Sequence, residues 1–208
     1  MPEELKHEEV NSKTDPSVAK QYDTETPMSQ QWSEFYGICD KLKVGLLGTH
    51  RNNVPGMVFR SMATAKRTGP DFLFLANHHS HKFEDLDNDK DVTITFQNNS
   101  NQDWVSINGT ATTVDNSDPR IKELHNGMVK AWFGDLGDGK HDGSADDPRM
   151  SLIEVKSKYI TYWKAQVGTL GMMKEVGMAA LTGKVANTGA TREFHQQDIE
   201  KERQSPSE

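Results

Sequence analysis

The chain has 208 residues with 24 Lys and Arg against 31 Asp and Glu, a net charge of −7; that is the length of one domain with tails, and an acidic balance lacking any basic stripe argues against nucleic-acid or anionic-membrane binding. A single cysteine, Cys39, rules out an intrachain disulfide. No apolar run approaches the ~20 residues that span a bilayer and no basic-then-apolar leader opens the chain, so no membrane partner and a cytoplasmic location are expected.

Residues 1–28 hold almost no apolar side chains and are expected to form a disordered tail, because such a segment buries too little surface to offset its chain entropy. From Ser29, "SQQWSEFYGICDKL" places Trp32, Phe35, Tyr36, Cys39 and Leu42 on one helical face. "KVGLLGTH" and "VPGMVFRSMATA" then read as strands around the turn "RNN". "DFLFLAN" is apolar on both faces, as in a strand buried within a closed sheet. A short helix "SHKFEDLDN" is followed by the alternating "DVTITFQ" and by "DWVSINGTATTV", in which Gly109 predicts a bulge or bend.

Asp118 and Pro119 open one predicted helix, "DPRIKELHNGMVKAWF", with Ile121, Leu124, Met128, Ala131 and Trp132 on its buried face. A Gly- and Asp-rich loop at 134–148 precedes one or two closing strands, "RMSLIEVKSKYITYW". This loop fits a calcium site poorly: with Asp138 first, Lys140 and Arg149 fall where oxygen ligands belong. Nor does the trio His78, His79 and His81 supply converging zinc ligands, so no metal is expected. The remainder, 166–208, reads as a weak helix that packs Met172, Met173 and Met178 against the barrel or a partner, then as disorder. The tally is a mainly β (α+β) fold, a six-stranded antiparallel barrel with peripheral helices, spanning 29–165.

One stretch, "FRSMATAKRTGPDFLFLANHHSHKFEDL", raises a functional question. A hairpin turning at 67–70 would set Arg60 roughly opposite residues 75–77, close to Ser80 and Lys82 at a helix start. A guanidinium, an ammonium, a hydroxyl and free helix amides suit a phosphomonoester. Spacing alone leaves open whether they meet at a ligand or are solvated surface charge.

The order Arg60-x-Met62, apolar strand, Ser80-x-Lys82, "VTITF" and "VSINGTA" resembles the flavin-binding split barrels that include pyridoxamine-phosphate oxidase and the general stress proteins. The later "IKELHNGMVKAWF" and "DDPRMSLIEVKSKYITYW" are most similar to the general-stress branch and its fungal blue-light-inducible relatives. The resemblance implies a split-barrel homodimer holding FMN, with FAD as the alternative, at the subunit interface. It assigns Arg60, Ser61, Met62 and Ala63 to the strand beside the flavin ring and Leu75 and Ala76 to its lining. Ser80, His81 and Lys82 fall at the phosphate, and Trp104 near the ring. Trp163 either stacks on the flavin or packs at a seam. His81 stands where the oxidases carry arginine, Trp104 where they carry glutamine and Ala65 where they carry lysine. Their closing Arg-x-His is also missing, so pyridoxamine-phosphate oxidation is not expected. The implied function is a flavin-dependent oxidoreductase of the general stress type or, alternatively, a non-catalytic flavin-binding stress or light-response protein.

Overall fold

The computed structural model describes residues 5–11, 13–19, 21–22 and 25–205. Parts of both predicted tails, including 1–4 and 206–208, lie outside the described residues. In chain order the elements are helix α1 (Pro16–Ala19), helix α2 (Met28–Leu42), strands β1 (Val44–His50), β2 (Met57–Ala63), β3 (Lys66–Thr68) and β4 (Asp71–Asn77), and helix α3 (His81–Asn88). Strands β5 (Asp91–Gln97) and β6 (Trp104–Val114) follow, then short helices α4 (Arg120–Leu124) and α5 (Gly127–Ala131), and the long strand β7 (Met150–Ala165). Helix α6 (Thr169–Thr182), strand β8 (Gly189–Phe194) and helix α7 (Gln196–Gln204) complete the chain.

All strand pairs are antiparallel and the path runs β2-β1-β5-β6-β7-β4-β3, with β8 added to β7. Its two end strands, β2 and β3, are joined by Thr64 and Ala65 alone. Two residues reach at most about 7 Å, so the sheet must curl until its ends meet. Closure is incomplete. β3 covers β4 only from Asp71 to Leu73, while β2 pairs with β1 alone, so the free edges of β2 and of residues 74–77 border one gap. This is a split barrel.

The alternation of β5 and β6 sends Val92, Ile94, Phe96, Val105 and Ile107 inward. They pack with Leu47, Met62, Phe72, Phe74 and Tyr162 in one core. α2 closes one end of it through Trp32, Phe35, Tyr36 and Cys39, and Trp32 stacks on Phe194 of β8 with ring centroids 3.7 Å apart. Burial pushes the Cys39 thiol well above its ordinary range, as for a small core hydrophobe. Gly109 marks the register shift between β6 and β7; a Cβ there would strike the Lys156 carbonyl oxygen.

Four expectations change. The sheet has eight strands, because a short strand, β3, forms just past the predicted strand that holds β2, and a further strand, β8, arises in the C-terminal segment. That segment is not disordered from 189 to 205: Ile199 is fully buried, Tyr36 donates to Glu202 at 2.7 Å, and Arg203 holds both oxygens of Asp71 at 2.7 and 2.9 Å. α6 forms, but Met173 and Met178 are exposed instead of packed against the barrel of their own chain, which leaves a partner as the expected cover. The helix predicted from Asp118 breaks at His125, because the Asn126 side chain accepts from the Met128 and Val129 amides and starts α5 afresh. The break rotates the later face, so Ile121 and Leu124 still pack, Val129 and Phe133 replace Met128 and Trp132, and those two stand 79% and 86% exposed.

Asp71 also accepts from the Ser157 amide at 3.0 Å, tying the β3–β4 turn to β7 as well as to α7. Asp71→Ala leaves Arg203 and that amide without their acceptor and is expected to cost about 3 kcal/mol. A urea melt of the variant should show the midpoint fall with an unchanged slope.

Candidate functional site

Arg60 does not face residues 75–77. Its strand pairs with β1, where Arg60 lies opposite Leu47, and the hairpin partner of β4 is the short β3. The break after Ala63 causes the change, because the chain leaves one sheet edge and joins the other within two residues. The cations nevertheless meet, by another route. Arg60 and Met62 point to the inner side of β2, and α3 packs over the end of β1 beside them.

The meeting point is Asp85, 2% exposed, on α3. Its Oδ2 accepts from Arg60 Nη2 at 2.8 Å, from Arg51 Nη2 at 3.2 Å and from the Thr49 hydroxyl at 2.7 Å, while Oδ1 accepts from Arg51 Nε at 3.0 Å. Thr49, itself fully buried, accepts in turn from Arg60 Nη1 at 2.7 Å. Burial works to raise the Asp85 pKa, but hydrogen bonds from Arg51 and Thr49 and the two guanidinium charges outweigh it and hold the carboxylate below its ordinary range. Lys82 lies on the same helical face three residues earlier, half-buried, with Nζ donating to Ser80 Oγ at 2.6 Å. Burial, then the positive charge of Arg60, lowers the Lys82 pKa, with Asp85 opposing.

Two arginines therefore share one carboxylate, and Lys82, bonded to Ser80, lies within the electrostatic reach of Arg60 and Asp85; the three cations exceed the one carboxylate by two positive charges in a half-buried place. At the start of α3, Ser80 does not cap its own helix with its side chain. Its hydroxyl donates to the Asn77 carbonyl at 2.7 Å, and of the first-turn amides that of Phe83 bonds to the Ser80 carbonyl at 3.0 Å, leaving those of His81 and Lys82 without a side-chain cap. A donor set of this kind fits a phosphate dianion.

The remaining predicted residues divide. Ser61 and Ala63 are exposed along the free side of β2. Met62 and Ala76 point into the core, while Leu75 packs outside it against the α4–α5 cluster. Residues 61–63, 75 and 76 thus border the gap through their backbone more than their side chains. His81 turns away: it shares the solvent face of α3 with Glu84, 3.1 Å from its Nδ1, and is 76% exposed. Trp104 and Trp163 are directly paired across β6 and β7. From β2 to β6 is three strand spacings, roughly 14 Å along the sheet, so neither indole reaches the Arg60 cluster of its own chain. Trp104 instead lines an outer cleft of about 430 Å³ with Val44, Leu46, Ser61, Thr95 and Ser106.

Residues 27–187 match the family described as pyridoxamine 5'-phosphate oxidase like. The chain belongs to this family. It is 34% identical over 197 residues to protein bli-3 of Neurospora crassa, covering 94% of each chain. Among solved structures it is similar to a protein assigned to general stress protein 26 of Jannaschia sp. CCS1, at a TM-score of 0.60 and 16% identity, over 80% of this chain and 99% of that one. A pyridoxamine 5'-phosphate oxidase-related, FMN-binding protein of Nostoc punctiforme matches at a TM-score of 0.52 and 10% identity, over 68% and 87% of the two chains. These likenesses agree with the barrel traced above. Among the described residues no helix is long and apolar enough to cross a membrane.

Thr49, Arg51 and Asp85 were not among the residues predicted for the pyridoxamine 5'-phosphate oxidase-like site. The spacing Lys82 to Asp85 was the available signal, since residues three apart share a helix face. Nothing local pointed to Thr49 or Arg51, which arrive through the β1–α3 contact.

Asp85→Asn removes a charge that two arginines depend on, and at neutral pH it is expected to lower stability by about 2–3 kcal/mol. Because the folded-state pKa is depressed, this contribution is full above the unfolded carboxylate value near 4 and fades as pH falls through the folded value. Urea melts of both proteins should accordingly differ at pH 7 and converge on acidification below about pH 4.

Proposed function

We propose that the protein is an FMN-binding homodimer that carries out flavin-dependent oxidation and reduction. The observation that carries this reading is the meeting of Arg51 and Arg60 on Asp85, with Lys82 on the same face of α3 and within their electrostatic reach, beside the β2–β4 gap. An excess of two positive charges balances the dianion of a phosphomonoester, whereas each phosphate of a diphosphate diester carries a single charge; this favours FMN over FAD. Arg60 and Lys82 would hold the phosphate, with Ser80 and the first amides of α3 adding hydrogen bonds. The free edge of β2 from Arg60 to Ala63, and the backbone at Leu75 and Ala76, would border the ring.

Bound flavin supplies reversible electron transfer; the protein's part is to place the ring, exclude water and tune it through hydrogen bonds. The outer face of β1 and β2 exposes Val44, Leu46 and Phe59, at 53, 44 and 46%. Together with the cleft at Trp104, it suits a partner subunit. In such a dimer Trp104 and Trp163 serve the partner's flavin or the seam. The non-catalytic alternative, a flavin-binding stress or light-response protein, keeps the same site without turnover.

Purified protein should take up FMN and show flavin absorbance; colourless protein that also refuses added FMN would sink the proposal. Anaerobic mixing with NADH or NADPH then separates the two readings, bleaching being expected for the oxidoreductase and none for the alternative. Arg60→Ala and Lys82→Ala should each weaken FMN by ~1–3 kcal/mol while leaving riboflavin nearly unchanged. Equal losses for the two ligands would show that neither residue holds phosphate.

A further inference from the structure

The sequence reading puts three side chains beside Ser80 at the phosphate: Arg60 and Lys82 as its cations, and His81 where the oxidases carry arginine and a fixed charge is weakened. The structure keeps two of them and turns the third away. His81 and Glu84 form one exposed pair, while Lys82 and Asp85, one position further round the helix, face the barrel. Arg51 lies on the site side. It directly follows β1, and its chain bends back at once, the Val54 amide bonding to the Arg51 carbonyl oxygen at 3.1 Å. Its guanidinium meets Asp85 through two nitrogens, at 3.0 and 3.2 Å, which fixes the plane of the fork. The side chain remains 34% exposed, so it is anchored on one side and open on the other.

We infer that Arg51 is the third cation of the phosphate site, held in place by Asp85 and filling the role that His81 does not. The inference rests on the FMN reading above and deepens it. Three features support the assignment. Arg51 and Arg60 share the Oδ2 atom of Asp85, so their guanidinium groups are neighbours. Burial chiefly lowers the Arg60 pKa, Asp85 opposes it, and Arg51 adds a smaller lowering, as expected for two like charges within mutual influence. Two arginines on one carboxylate, with a lysine near enough to feel Arg60, repel one another in the free protein, and a bound dianion relieves that repulsion. Asp85 acts as a positioning residue: it touches no ligand, but it sets the direction of both forks and keeps the site's charge at two instead of three.

The test compares FMN and riboflavin by fluorescence titration of the full chain, for wild type, Arg51→Ala and His81→Ala, with Arg51→Gln as a second variant should the alanine protein not fold. Arg51→Ala is expected to weaken FMN by about tenfold or more and riboflavin by less than about twofold, because the phosphate is the part of the ligand that Arg51 would touch. His81→Ala should change neither ligand by more than about twofold, given its exposure. The inference is overturned by an FMN-to-riboflavin affinity ratio that Arg51→Ala leaves unchanged, or by a loss at His81 equal to that at Arg51. Wild-type protein that binds no FMN would instead overturn the parent reading, an outcome visible before any variant is made.

Discussion

A single buried carboxylate organises the charged end of this barrel. Asp85 comes from α3, Thr49 and Arg51 from β1 and the residue after it, and Arg60 from β2. None of these groups could be buried alone without a large desolvation cost. Placed together they satisfy one another and fasten the helix to the sheet beside the gap. The same arrangement leaves positive charge in excess, so the device that secures α3 also supplies the cations of the proposed anion site. Structure and proposed function share one set of hydrogen bonds here.

The gap itself follows from a shortage of pairing. Thr64 and Ala65 allow the chain to leave β1 and join β4, but β3 is only three residues long, and past Leu73 the edge of β4 has no partner on that side. A longer β3 would zip the barrel shut and remove the place where residues 61–63 and 75–76 expose backbone groups. Splitting the barrel is therefore what turns a packed sheet into a groove with a charged end.

Much of this was legible in the sequence, for reasons of period. Alternation in "DVTITFQ" and the three-and-four spacing of Trp32, Phe35, Tyr36 and Cys39 report which side of an element is buried, and those faces are the ones in the core. What escaped depended on contacts distant along the chain. Arg60 was placed against β4 because the turn at 67–70 looked like the end of a simple hairpin, whereas the pairing with Leu47 comes from the whole sheet. Thr49 and Arg51 reach Asp85 from more than thirty residues away. His81 and Arg51 differ in role through one step of helix rotation and one tertiary contact, neither of which composition records. Asn126 ended a helix that its apolar periodicity alone would have continued. The C-terminal helix was missed because its mean composition is polar while its few anchors, Ile199, Glu202 and Arg203, are individually buried or bonded.

The central claim, that these cations grip a phosphate dianion, is open to direct measurement by phosphorus NMR of protein-bound FMN across a pH titration. Free phosphomonoesters take up a proton near pH ~6. With Arg51, Arg60 and Lys82 around it, the bound phosphate should remain dianionic well below that value, its resonance unmoved until the protein unfolds or releases the flavin. A bound phosphate that titrates as it does in free solution would contradict the account.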